Sequence, residues 1–163
     1  MKKILIEPKV LTYYFDLKVR EQCKSCKRYC AKQTCPDNIE SIDYYKKLLP
    51  QYNYGAIYYK SFKIGEDGTW EKVGKRSSLE LHKYLLTKRD FFISQGSYFC
   101  TAFTGGSCKL CTTCSIPCKY PNKALTPLEA TGINVVRLME KFNINIKFPI
   151  TDYFYRVGLL LWD

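Results

Sequence analysis

The stretch Tyr52-Asn-Tyr-Gly-Ala-Ile-Tyr-Tyr-Lys-Ser-Phe-Lys-Ile64 decides the class of the fold. It is rich in tyrosine, isoleucine and phenylalanine, the residues that suit a pleated, half-buried surface, and reads as a strand. Gly65-Glu66-Asp67-Gly68 follows as a hairpin turn, which predicts that Thr69–Val73 returns as a second strand. Upstream, Ile39, Ile42, Tyr45 and Leu49 recur at helical spacing until Pro50 stops them. Downstream, Ser77-Ser78-Leu79-Glu80 has the form of a capping box. Its helix is expected to run to about Gln95 and stop at Gly96.

Further on, Ser97–Phe103 has strand composition, and Gly105-Gly106 opens a cysteine-rich loop. Thr126-Pro127-Leu128-Glu129 reads as another helix start, with a helix to about Phe142 bent at Gly132. Ile144–Phe148 and Tyr153–Trp162 are expected to close the chain as strands. Helices and strands in this order predict one α/β or α+β domain over residues 1–163. A mixed β-sheet would be flanked by about three helices, with two cysteine-rich metal-binding loops at about 23–36 and 105–121 hanging from element ends.

Nine cysteines stand against one histidine in 163 residues. A disulfide scaffold belongs to short secreted chains. Here Met1-Lys2-Lys3 is followed by three apolar residues, Ile4 to Ile6, before Glu7-Pro8, well short of the roughly 7–15 of a signal peptide. No stretch reaches the roughly 20 apolar residues of a membrane span. The expectation is a cytoplasmic chain whose clustered thiols are metal ligands. The formal charge is +11, and two four-thiolate sites, each carrying about −2 when filled, would lower it to about +7. Basic residues (Lys24, Lys27, Arg28, Lys32; Lys46, Lys47; Lys72, Lys75, Arg76) are spread along the chain, as on a solvated surface.

Cys108, Cys111, Cys114 and Cys118 have the spacing C-x₂-C-x₂-C-x₃-C of bacterial ferredoxins. Two-residue gaps let one loop wrap three corners of a cubane, whereas a zinc ion more often draws on two separated pairs. The expected cofactor is a [4Fe–4S] cluster. In two-cluster ferredoxins the fourth cysteine serves the other cluster, and that run ends in Cys-Pro, which Cys118-Lys119 does not. The spacing leaves open which cluster Cys118 serves.

Cys23, Cys26, Cys30 and Cys35 have the spacing C-x₂-C-x₃-C-x₄-C, four cysteines in thirteen residues. The order of gaps is opposite to the C-x₃-C-x₂-C loop of radical-SAM enzymes. A second cluster is favoured here, with zinc as the alternative. Cys100, in the apolar stretch Tyr98–Thr101, reads as a small buried hydrophobe. His82 reads as a structural or exposed residue, too isolated for serine-type or histidine–zinc catalysis.

The chain resembles a cysteine-rich family known as predicted metal-binding proteins, domain of unknown function 2284, common in anaerobic bacteria and archaea. The resemblance rests on Gly106-Ser-Cys108-Lys-Leu-Cys111-Thr-Thr-Cys114, Pro117-Cys118, Pro121, Pro127, Glu129-Ala130, Thr131-Gly132-Ile133-Asn134-Val135 and the ending Gly158-Leu-Leu-Leu-Trp-Asp163. At the front, Val19-Arg20, Cys23, Cys26, Tyr29 and Cys35-Pro36 match the first cysteine motif, so the resemblance spans roughly residues 12 to 163. Two departures stand out: the family reads Tyr-Gly where this chain has Tyr29-Cys30, and a second proline where it has Asp37. The resemblance therefore implies that Cys30 can be a bystander, leaving Cys23, Cys26 and Cys35 with an open iron position.

The leading expectation is an electron-transfer protein with one or two clusters, serving anaerobic metabolism through an acidic redox partner such as a ferredoxin or flavodoxin. An enzyme using a three-cysteine cluster as Lewis acid is the first alternative. A zinc-stapled module for protein or nucleic acid is the second, although no nucleic-acid fold signature is present.

Overall fold

The computed structural model describes residues 1–163 except Arg28 and Asp67. Asp67 of the expected turn and Arg28 among the basic residues therefore lie outside the described residues. The elements are β1 (Lys2–Ile6), α1 (Leu17–Gln22), α2 (Ile42–Leu48), β2 (Tyr54–Lys63), α3 (Trp70–Ser94), β3 (Cys100–Thr104), β4 (Thr126–Pro127), α4 (Val135–Glu140) and β5 (Tyr153–Trp162), with short 3-10 turns between them. The strands form one sheet in the order β1-β2-β5-β3-β4. β3 and β4 run parallel and the other neighbours antiparallel, so the sheet is mixed and the class is α+β.

Strand β5 lies at the centre of the sheet. It pairs with β2 over ten positions, from Tyr54 opposite Trp162 to Lys63 opposite Tyr153. Side chains alternate between the faces of a strand. Val157, Leu159 and Leu161 enter one core with Ile57, Phe103, Leu11, Leu128, Leu138 and Met139. Leu160 points the other way, with Ala56, Tyr58 and Ala102, onto Leu81 and Leu85 of α3. Burial on both faces is why Gly158-Leu-Leu-Leu-Trp162 reads as an unbroken apolar run.

Thr69–Val73 does not return as a strand. Thr69 is the N-cap of α3, which begins at Trp70 and ends at Ser94, before Gly96 at φ +98°. Trp70, Val73, Ser77, Leu81 and Leu85 follow helical spacing, and Trp70 meets Phe154 of β5 edge to face at 5.0 Å. The Ser77–Glu80 capping pattern therefore lies inside a helix, with Ser77 and Ser78 buried. Their small side chains, with Gly74, make room for Arg156. Its Nε donates to Ser77 Oγ at 3.1 Å and its Nη2 to Gly74 O at 2.9 Å.

The expected helix from Thr126 is also replaced. Thr126–Pro127 forms β4, Glu129–Thr131 is a 3-10 turn ended by Gly132 at φ +94°, and α4 starts afresh at Val135. Asn134 caps α4 by accepting from the Arg137 N–H at 3.1 Å. Ile144–Phe148 pairs with no strand and instead lays Ile144 and Ile146 against the main core. β1 is a short edge strand, its lysines hiding the alternation in Lys2–Ile6.

His82 is 1% exposed, and its Nε2 lies 2.8 Å from the Lys123 carbonyl. Burial, aided by the charge of Arg89, holds its imidazole below the ordinary value despite that hydrogen bond. The unfolded chain then takes up a proton at a higher pH than the folded one, so stability falls as pH drops below about 6.5. Thermal unfolding midpoints between pH 7 and 5 should decline, and His82→Gln should flatten that slope.

Candidate metal centre

The first cysteine loop is built as a series of tight turns leaving α1. Asp16 caps that helix by accepting from the Lys18 N–H at 3.0 Å. The helix passes into a 3-10 turn at Cys23–Ser25, where Cys26 N donates to Cys23 O at 3.0 Å. Tyr29 N bonds Cys26 O at 2.9 Å, Cys35 N bonds Lys32 O at 3.0 Å, and Asn38 N bonds Cys35 O at 2.9 Å. Arg20 ties the ends of the loop together through Glu40 O, at 2.7 Å, and Pro36 O.

Cys23, Cys26 and Cys35 line one cavity of about 180 Å³, together with Gly106, Pro127 and Glu129. Burial raises the Cys23 thiol, and the nearby Glu129, Cys26 and Cys35 charges raise it further, against the lowering influence of Arg20. Among the described residues, no three side chains of His, Cys, Asp or Glu converge tightly enough to hold a single metal ion. The three thiols instead share the wall of a space large enough for several atoms.

Cys30 does not line that cavity. Its backbone is left-handed, at φ 57°, and its exposed thiol lies 3.0 Å from Asp37 Oδ2. The hydroxyl of Tyr29 donates to the other oxygen of Asp37 at 2.6 Å. These hydrogen bonds hold Asp37 below the usual carboxylate range, raise the Cys30 thiol and push Tyr29 up to about 12. Cys30 and Asp37 are thus bonded to each other. A left-handed backbone at position 30 is one that glycine adopts without strain.

The second loop leaves β3 through Gly105 and Gly106. A Cβ on Gly105 would lie 2.4 Å from Val157 O, and Gly106 has φ +77°. Cys108, Cys111, Cys114 and Cys118 follow on an irregular segment, all partly buried. Burial raises the Cys108 thiol, while the backbone N–H groups of Leu110 and Leu125 and the charge of Lys32 favour its thiolate; the charge of Cys118 opposes it. Lys32 belongs to the first loop and is itself buried.

Cys100 stands at the start of β3 against the α3 side of the sheet, where burial pushes its thiol up to about 11. Sequence spacing assigned no role to Glu129 or Arg156. Burial raises the Glu129 carboxyl, against the lowering effect of its own backbone N–H, the Gly106 N–H and Arg156. Burial lowers the Arg156 guanidinium to about 10, with Glu129 opposing the shift. The signal in the sequence is the pair Glu129-Ala130, whose glutamate also fits the helix-start pattern Thr126-Pro127-Leu128-Glu129.

A family model described as predicted metal-binding protein (DUF2284) matches residues 9–162. No curated protein matches the chain, and no solved structure does. No helix among the described residues is long and apolar enough to cross a membrane.

Proposed function

This chain belongs to the DUF2284 family of predicted metal-binding proteins, and from that premise we propose that it is an iron–sulfur protein that passes single electrons to a partner. The carrying observation is that Cys23, Cys26 and Cys35 line one several-atom cavity. This donor set fits a cluster: the ligands are soft thiols, and they share a cavity wall without meeting at a single point. Cys23, Cys26 and Cys35 would hold one cluster, and Cys108, Cys111, Cys114 and Cys118 the other. When bound, a [4Fe–4S] cluster supplies a one-electron couple.

The chain's own residues set the surroundings. The Leu110 and Leu125 N–H groups and the Lys32 charge stabilise negative charge at Cys108. Hydrogen bonds and positive charge near sulfur favour the more negative, reduced state. A basic surface, +11 before any cluster charge, suits an acidic protein redox partner. Protein purified without oxygen is expected to carry about eight iron and eight sulfide per chain, with visible absorption that bleaches on adding dithionite. Zinc without iron would overturn the proposal.

A second reading, a Lewis-acid enzyme, is favoured by the Cys30–Asp37 bond, which leaves three thiols at the first site. A cavity of about 620 Å³ adjoins that site. Glu129 lines both spaces, and Trp70, Phe148 and Arg156 line the larger one. Substrate-dependent changes in the spectrum of the first site would separate catalyst from carrier.

A further inference from the structure

We infer that the carboxylate of Glu129 is the fourth ligand of the Cys23–Cys26–Cys35 site. The inference rests on the reading of that site as a cluster site and deepens it. Three thiols and one carboxylate line the same cavity, and the cysteine that would complete a four-thiol set is bonded to Asp37 instead.

The carboxylate has acceptor capacity to spare. A hydrogen bond that it accepts is a long one, from the Gly106 N–H to Oε2 at 3.5 Å. Arg156, the cation on that side, already gives its Nε, Nη1 and Nη2 to Ser77, Gly105 and Gly74. No ion pair to Glu129 within 4.0 Å occurs among the described residues.

The backbone that carries Glu129 is firm. Leu128 and Ala130 on either side are buried, Thr131 Oγ1 donates to Leu128 O at 2.7 Å, and Gly132 N bonds Glu129 O at 3.1 Å. A ligand on such a frame is held in place before the metal arrives. Binding moves no electrons: an oxygen lone pair forms the bond to iron, and any carboxyl proton leaves to solvent. An oxygen ligand on one iron is harder than the three thiolates and exchanges more readily.

The test uses the full chain reconstituted with ⁵⁷Fe, comparing wild type with Glu129→Gln, Glu129→Ala and Glu129→Cys by Mössbauer spectroscopy, with circular dichroism to check folding. The wild type should show a distinct sub-site of about one iron in eight. Glu129→Ala and the near-isosteric Glu129→Gln should lose it and release that iron to mild oxidation at least about tenfold faster, the scale on which supporting groups alter metal retention. Glu129→Cys should keep the iron with a thiolate-like signal. A folded Glu129→Gln protein with an unchanged sub-site overturns the ligand assignment and leaves the cluster reading standing. If instead the wild type holds no iron at the first loop, so that Cys35→Ala does not lower iron content, the cluster reading and the ligand assignment both fall.

Discussion

Cys35→Ala is expected to remove about four of about eight iron atoms per chain, and Cys30→Gly to remove none. Cys35→Ala leaves two cysteine thiols, Cys23 and Cys26, on the wall of the first cavity, too few to hold a cubane. Cys35 also sits where the loop turns twice, bonded through its N–H to Lys32 O and through its carbonyl to Asn38 N. Alanine keeps both backbone bonds, so iron loss would report the missing sulfur and not a broken loop. Cys30 stands apart from the cavity, in a left-handed conformation that glycine adopts without strain. Its replacement gives up exposed hydrogen bonds to Asp37 and Tyr29, so the melting temperature should hold or rise slightly. Iron, sulfide and thermal unfolding, measured side by side for the two variants, check the contrast. Equal iron loss from both would return Cys30 to the ligand set.

Gly105→Ala is expected to lower stability strongly and strip iron from the second loop. The added methyl would sit 2.4 Å from the carbonyl oxygen of Val157 and 3.3 Å from its nitrogen. The obstacle is the backbone of the central strand β5, which cannot swing aside as a side chain can. Overpacking costs about 1–3 kcal/mol, and a clash with backbone belongs at the upper end. For a chain of this length, about 3 kcal/mol corresponds to roughly 6–12 °C in melting temperature. Gly96→Ala is the control. There φ is +98° and nothing lies within 4 Å of the added methyl, so it reports backbone strain alone, about 1–2 kcal/mol. Only Gly105→Ala should also change iron content, because Gly105 sets where the Cys108–Cys118 segment leaves the sheet.

The strand over Tyr153–Trp162 was legible to the residue, and Tyr52–Ile64 nearly so, because both are long, apolar and bounded by turn residues. The misread segments were those where a local pattern competed with a distant partner. Ser77–Glu80 has the form of a capping box, but the helix runs through it because Trp70 and Val73 pack on Phe154 and Phe62, while Ser77 receives Arg156 from β5. Thr126–Glu129 resembles a helix start, yet Thr126 and Pro127 are taken by pairing with Phe103 and Thr104.

The two cysteine-bearing segments were legible as irregular loops because their spacing is a local property. The separation of Cys30 from its neighbours was not written in spacing, since it depends on a backbone angle and on Asp37 seven residues away. Glu129 was hidden by distance: it lies 94 positions after Cys35, and only folding brings them to one cavity.

Lys32 gives the two loops a common dependence. It is buried, it belongs to the first loop, and its charge favours the thiolate of Cys108 in the second. The first loop therefore supplies part of the electrostatic surroundings of the second, and a change that turned Lys32 out to solvent would weaken its hold on the Cys108 thiolate.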